Sequence, residues 1–374
     1  SHSGVSGGFP QREGTRQTDM SASLLESRSA LQLEVEKPYW LENARVVLPD
    51  GILERGAVCV EAGFISAIEP AAPIGSSRLN LNGALLLPGI TTAFAAVALA
   101  DGPGLRSEDR AERLIHAIRA AQNTLRTRIL IHARFEVSVP SGVSLLERCL
   151  TDESISMVSL MDHTPGQGQF RNLEYYVEYM TKWLGGNREA AQQSAHAHLE
   201  TPISWDIARG IAGLAVERGV PLASHDDDTS DKVQLMQSLG VTIAEFPVTL
   251  EAARAAKDHG MGVVMGAPNA MRGSSHSGNL SALEGVRAGV VDGLCADYHP
   301  ASLLHAVLRL ERDEVLPLFE AVKLVSTNPA KAALLADRGR IAVGCRADLI
   351  CVTQARVRAT WRDGLLIYSD GTCA

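Results

Sequence analysis

Short apolar runs alternate with helix-like stretches through the middle of this chain. Runs at 128–131, 157–161, 220–223, 242–244, 262–265 and 293–296 have the length of strands. Helix-like patterns at 172–184, 207–218, 230–239, 250–259, 282–288 and 302–310 come after them. Strand alternating with helix over about 200 residues predicts parallel βαβ units, at spacings near those of a (β/α) barrel. The flanks differ. Residues 44–48, 57–61 and 64–68 are β-rich and punctuated by Pro49-Asp50-Gly51 and Ala62-Gly63. The same texture returns at 347–352, 357–361 and 365–368, with a turn at Arg362-Asp363-Gly364. Two β-rich segments at opposite ends of the chain can pair into one small sheet that brackets the alternating region.

The polar residues that end the apolar runs carry the chemistry. His132, Arg134 and Glu136 extend one strand at period two and therefore share a face. Met161 runs into Asp162-His163, Ser224 into His225-Asp226-Asp227-Asp228, and Ala296 into Asp297-Tyr298-His299. Four strands thus deliver ionisable groups at their carboxyl ends, where parallel α/β folds build their sites. Such groups repel or desolvate one another unless something pairs them, and a divalent metal does so by accepting imidazole and carboxylate ligands. Glu136, His163, His225 and Asp297 are the candidate metal set, whereas any one of these histidines alone would read as a hydrogen-bonded strand-end residue. His116, His196, His198, His259 and His305 lie in helical or linker stretches and read as surface or packing residues.

Composition narrows the ligand. The chain has 374 residues and a formal charge of −8, so it has no general attraction to nucleic acid or anionic membrane, and a phosphate must be held locally. The loop Asn269–Asn279 is suited to that task. It offers Arg272, Ser275, His276, Ser277 and free backbone N–H groups after a strand. Its plain alternative is a Gly-rich surface loop. Gln167, in the polar connection after His163, is a further candidate contact. The 6 cysteines lack paired spacing and read as reduced thiols of a cytoplasmic protein. Residues 84–100 are interrupted by Pro88, Gly89, Thr91 and Thr92 and do not make a membrane span. Ser1–Asp19, polar and lacking an apolar core, reads as an expression leader.

Several motifs together are specific. They are Ser159-Leu-Met-Asp-His-Thr-Pro-Gly-Gln167, Leu222-Ala-Ser-His-Asp-Asp-Asp-Thr229, Ile243-Ala-Glu-Phe-Pro247, Met265-Gly-Ala-Pro-Asn269, Arg272-Gly with Ser275-His-Ser-Gly-Asn279, and Asp297-Tyr with Pro300-Ala-Ser-Leu-Leu304. From about residue 40 to 370 the chain resembles the PhnM family of phosphonate metabolism, within the amidohydrolase superfamily. The resemblance implies a metal-dependent (β/α) TIM-like barrel over 88–338 and a small β-sandwich made from 20–87 and 339–374. It implies a diphosphatase that hydrolyses α-D-ribose 1-methylphosphonate 5-triphosphate to the 5-phosphate and pyrophosphate. Glu136 would then bridge two metals, zinc or manganese. His163 and His225 would hold one metal, while Asp297 would touch the other and take a proton from the attacking water. The expected partner is a small phosphorylated substrate, with no nucleic acid or membrane, and the expected assembly a homo-oligomer.

One motif is missing. Relatives follow Leu-Pro-Gly-Ile with His-x-Asp or His-x-His at the end of the first barrel strand, but here Leu87-Pro-Gly-Ile90 passes directly into Thr91-Thr-Ala-Phe94, which resembles the second strand. Either the protein lacks its first βα unit, or the unit exists and the sequence joins across it. The second explanation is preferred, because losing a βα unit would open the barrel. The resemblance implies two metal sites, but as the chain is written at most one well-held metal is expected, with sharply reduced turnover. A cyclic-amide hydrolase, a deaminase and a catalytically silent barrel stay open as alternatives.

Overall fold

The structure, a computed structural model, describes residues 37–99, 107–138, 140–200, 203, 205–273 and 279–372. The leader-like stretch Ser1–Asp19 lies outside them, as do Ser275, His276 and Ser277. Eight strands come from the two flanks: β1 (Tyr39–Leu48), β2 (Gly51–Glu61), β3 (Phe64–Glu69), β4 (Arg78–Asn80), β5 (Leu85–Pro88), and after a long interval β13 (Leu349–Thr353), β14 (Arg356–Arg362) and β15 (Leu365–Ser369). They form one sheet in the order β15-β14-β13-β5-β1-β2-β3, with β4 paired to β1. The flanks meet where β5 lies antiparallel to β13, Leu86 opposite Cys351 and Pro88 opposite Leu349. Leu41, Val58, Ile65, Leu86, Leu349 and Trp361 pack into its own core, so the sheet gains hydrophobic burial only when both flanks are present.

The alternating region forms a second sheet. Its strands are β6 (Thr92–Leu99), β7 (Arg128–Glu136), β8 (Met157–Met161), β9 (Leu222–His225), β10 (Ile243–Glu245), β11 (Gly262–Gly266) and β12 (Gly293–Cys295). Neighbours in sequence are neighbours in space and all run parallel. Helices Leu173–Trp183, Trp205–Glu217, Ser230–Ser238, Leu250–Asp258, Ala282–Arg287 and Ser302–Arg312 fall within about two residues of the predicted stretches. Helices Glu108–Ala121, Val143–Thr151 and Arg188–Glu200 were not anticipated. Thr229 and Thr249 cap their helices, the side-chain oxygens accepting from Lys232 N at 3.2 Å and Ala252 N at 3.0 Å. The loops after β9 and β10 are therefore short and fixed at both ends.

The cylinder expected from the sequence is not closed among the described residues. The sheet is a path of seven strands with β6 and β12 at its ends, whereas a (β/α) barrel closes with eight. The physical reason lies at Gly89-Ile90, where the chain leaves the first sheet and enters β6 with no strand between.

At the amino-terminal end of the parallel sheet an ionic network ties the sheets together. Arg128 at the start of β7 donates to buried Asp348 at 3.0 Å and also to Asp363. Arg346 donates to Asp337 at 2.5 Å and to Asp363 at 2.6 Å, and Arg338 joins Asp337 to Thr92. Gly89 sits against this joint. Its N–H donates to Asp348 O at 2.8 Å, and a Cβ there would stand 2.9 Å from the Leu349 carbonyl carbon.

Candidate metal centre

The opposite, carboxyl-terminal end of the parallel sheet collects the ionisable groups. Glu136 ends β7, His225 ends β9 and Glu245 ends β10, with Glu245 directly opposite His225 in the ladder. Just past the strand ends, Asp226, Phe246 and Asp297 adopt left-handed backbone at φ +56°, +55° and +51°. That conformation is costly for residues with a Cβ and turns the chain abruptly at three strand ends. At Asp226 it brings the carboxylate alongside the imidazole before it, although adjacent residues on a strand point to opposite faces.

His163, His225 and Asp226 form a group whose ligand atoms all lie within 4.8 Å of one another. The two imidazole rings meet edge to face at 5.9 Å, and His225 Nε2 is 3.4 Å from Asp226 Oδ2. Glu136 stands beside this group and holds His163 in place: Oε1 accepts from the His163 backbone N–H at 3.1 Å and Oε2 pairs with Nδ1 at 2.6 Å. Nε2 of His163 is thereby left for another partner. Two imidazoles and a carboxylate are donors that zinc accepts. Asp226 Oδ2 is buried and accepts no hydrogen bond among the described residues, as suits an oxygen that a cation would satisfy. For His225, burial works against a proton, but Asp226 and Glu245 outweigh it and raise its pKa above the ordinary value. The field that favours a proton there favours any cation beside it.

Further charges line the group. Arg134 Nη2 lies 3.3 Å from His225 Nε2. Burial pushes the Asp227 carboxyl up to about 6, and its Oδ1 also has no hydrogen-bond partner among the described residues. Asp162, buried, is paired with Lys232 at 2.7 Å, and that ammonium lies 4.6 Å from the centre of the Trp205 ring. The Cys295 thiol at the end of β12 is pushed up to about 12 by burial, which keeps it protonated and unreactive.

Other predicted residues fall elsewhere. Asp297 is an exposed rim residue outside the three-residue group; desolvation raises its pKa, and Arg134, His225 and Arg272 pull against that. Asn269 and Arg272 belong to a short helix, Ala267–Arg272, rather than to a loop. Asn269 Oδ1 is occupied by Ala282 N at 3.0 Å and Asn279 Oδ1 by Arg171 at 2.8 Å. Arg272 is exposed and donates to Tyr298 OH at 2.9 Å, next to Asp297. Gln167 caps a single turn, its carbonyl accepting from Phe170 N. His198 is not a bystander: its Nε2 lies 3.0 Å from Ser138 Oγ, which donates to Glu136 at 3.3 Å, and its Nδ1 lies 3.1 Å from Tyr176 OH.

Sequence reasoning passed over Asp226 and Glu245 as site residues. Glu245 was within reach, since the run 242–244 ends on an ionisable residue as its neighbours do. Asp226 was not, because only the left-handed turn swings it beside His225.

The chain belongs to the amidohydrolase family, which it matches over residues 83–368. Within that family it is 40% identical over 308 residues to the α-D-ribose 1-methylphosphonate 5-triphosphate diphosphatase of Escherichia coli K12, covering 79% of this chain and 81% of the relative. Among solved structures, β-aspartyl dipeptidase of Fervidobacterium islandicum superposes with a TM-score of 0.63 at 14% identity, over 90% of this chain and 97% of that one. N-acetylglucosamine-6-phosphate deacetylase of Pasteurella multocida gives 0.56 at 17% identity, over 88% and 99%. The two structures share the fold.

Proposed function

We propose that this protein is a cytoplasmic, divalent-metal-dependent diphosphatase that converts α-D-ribose 1-methylphosphonate 5-triphosphate into the 5-phosphate and pyrophosphate. The observation that carries the metal reading is the group of His163, His225 and Asp226 at the carboxyl end of the parallel sheet. The substrate reading rests on the activity of the 40% identical relative. In this reading the parallel sheet is seven units of a (β/α) barrel over 88–338, covered by a β-sandwich built from 20–87 and 339–374.

His163, His225 and Asp226 would hold one zinc or manganese ion per chain, and Glu136 fixes the ring of His163. When bound, that ion supplies Lewis acidity and lowers the pKa of water. Asp297, at the rim, accepts the proton of the attacking water as its oxygen bonds to phosphorus and the bond to the departing pyrophosphate breaks. Arg272 and Arg134 face the mouth and offset charge on the phosphoryl oxygens. The phosphate-binding role of Ser275, His276, Ser277, Asn279 and Gln167 belongs to the same proposal.

The test is phosphorus NMR of the triphosphate substrate incubated with the full chain and zinc or manganese. Equal amounts of pyrophosphate and 5-phosphate are expected. Failure of the folded, metal-loaded protein to release pyrophosphate overturns the reading and favours a silent barrel, for which the open sheet is the structural argument; ammonia release from cyclic amides or aminated bases would favour the other amidohydrolase reactions.

A further inference from the structure

Below the candidate metal group, the inner faces of four neighbouring strands carry a continuous line of polar side chains. His132 on β7 places Nε2 at 2.5 Å from Ser159 Oγ on β8. Ser159 donates to Glu245 Oε2 on β10 at 2.6 Å, and the same oxygen lies 3.4 Å from Nδ1 of His225 on β9. His132 and Ser159 are both buried, Ser159 completely. Polar groups in such a position are costly unless each has a partner of the right kind.

The direction of every hydrogen bond is fixed by counting donors. Glu245 Oε2 faces the Ser159 hydroxyl and His225 Nδ1 together, and a carboxylate has no proton to give to either. The carboxylate is therefore an acceptor only. Ser159 has a single proton and gives it to Glu245, so its oxygen must accept from His132, which carries its proton on Nε2. Glu245 likewise accepts the Nδ1 proton of His225. What remains on His225 is the bare Nε2 lone pair, on the side of Arg134 and Asp226.

We propose that His132, acting through Ser159 and Glu245, is a positioning residue that fixes the tautomer and orientation of His225 so that Nε2 faces the metal site. The inference rests on the metal reading and adds residues outside the ligand set. A carboxylate that accepts from the distal N–H of a ligating histidine fixes its ring and raises its basicity, and loss of such support weakens metal binding by about 10- to 100-fold.

The experiment measures zinc affinity of the full chain by competition with a chromophoric chelator, and thermal unfolding of the metal-free proteins. His132→Leu and Ser159→Ala are expected to remain folded and to bind zinc about tenfold more weakly. His132→Gln, whose amide N–H can occupy the place of Nε2–H, is expected to recover most of that loss. The cobalt d–d spectrum should shift in His132→Leu and return toward that of the parent in His132→Gln. Parent-like zinc affinity in His132→Leu overturns the inference, as does a His132→Gln variant no better than His132→Leu, which would mark a packing effect. His225→Ala separates the two layers: if it leaves zinc binding intact, the metal reading itself fails. If it abolishes binding while His132→Leu changes nothing, only the positioning role fails.

Discussion

The two ends of the parallel sheet are built from the same kinds of residue and treat charge in opposite ways. At the amino-terminal end Arg128, Asp348, Asp363, Arg346, Asp337 and Arg338 close on one another, and buried Asp348 receives both the Arg128 guanidinium and the Asp363 backbone N–H. At the carboxyl-terminal end, Asp226 and Asp227 each leave a buried carboxylate oxygen without a hydrogen bond among the described residues. The first arrangement is complete and needs nothing further. The second leaves hydrogen-bonding capacity unused beside His163, His225 and Asp226, the feature on which the proposed metal site rests.

If this division holds, substitutions at the two ends should separate stability from chemistry. The largest effect is expected from His225→Ala, which should lower pyrophosphate release on the order of 10⁴-fold while leaving the fold intact by circular dichroism. Arg128→Ala should do the reverse. It strips buried Asp348 of its cationic partner and should cost about 3 to 5 kcal/mol in denaturant unfolding, with turnover per folded molecule unchanged. Asp227→Asn is expected to stabilise the metal-free protein by about 1 kcal/mol, since it removes a buried, under-partnered charge, while lowering activity. A destabilised Asp227→Asn protein would show that the carboxyl-terminal end is held together by its carboxylates after all.

The smallest effect concerns acid. Hydrogen bonds from Arg338 and Arg346 hold the Asp337 carboxyl down at about 2, against an ordinary value near 4. A carboxylate with a lowered folded pKa contributes stability above its unfolded value and loses it as pH falls through the folded one. Between pH 4 and pH 2 the network should therefore weaken, by less than about 1 kcal/mol because Asp337 is partly solvent-screened. Acid titration of unfolding should show a shallower fall for Asp337→Asn than for the parent.

The alternation of strands and helices was legible because parallel strands buried on both faces read as short apolar runs. Met157–Met161 coincides with its prediction, four other central strands lie within two residues of theirs, and β7 runs on from the apolar run 128–131 to Glu136 through the polar residues read as its extension. His163 and His225 were found by asking what ends each run. Glu136, expected as a bridging ligand, lies beside the candidate group with Oε2 2.6 Å from His163 Nδ1. Asn269 and Asn279, polar residues near a loop, looked free for phosphate; each has its side-chain oxygen occupied within the protein.

By itself, the sequence determined which residue types would stand at the ends of the central strands, because period and apolar run length dictate where a strand stops and which side chains lie just beyond it. Tertiary structure alone decided which of those residues share a site. Asp226 joins His225 through one left-handed residue, Glu245 reaches it through strand register, and Asp297 stays at the rim. Distance and unsatisfied hydrogen-bonding capacity are properties of neighbours far apart in the chain, and no local pattern encodes them.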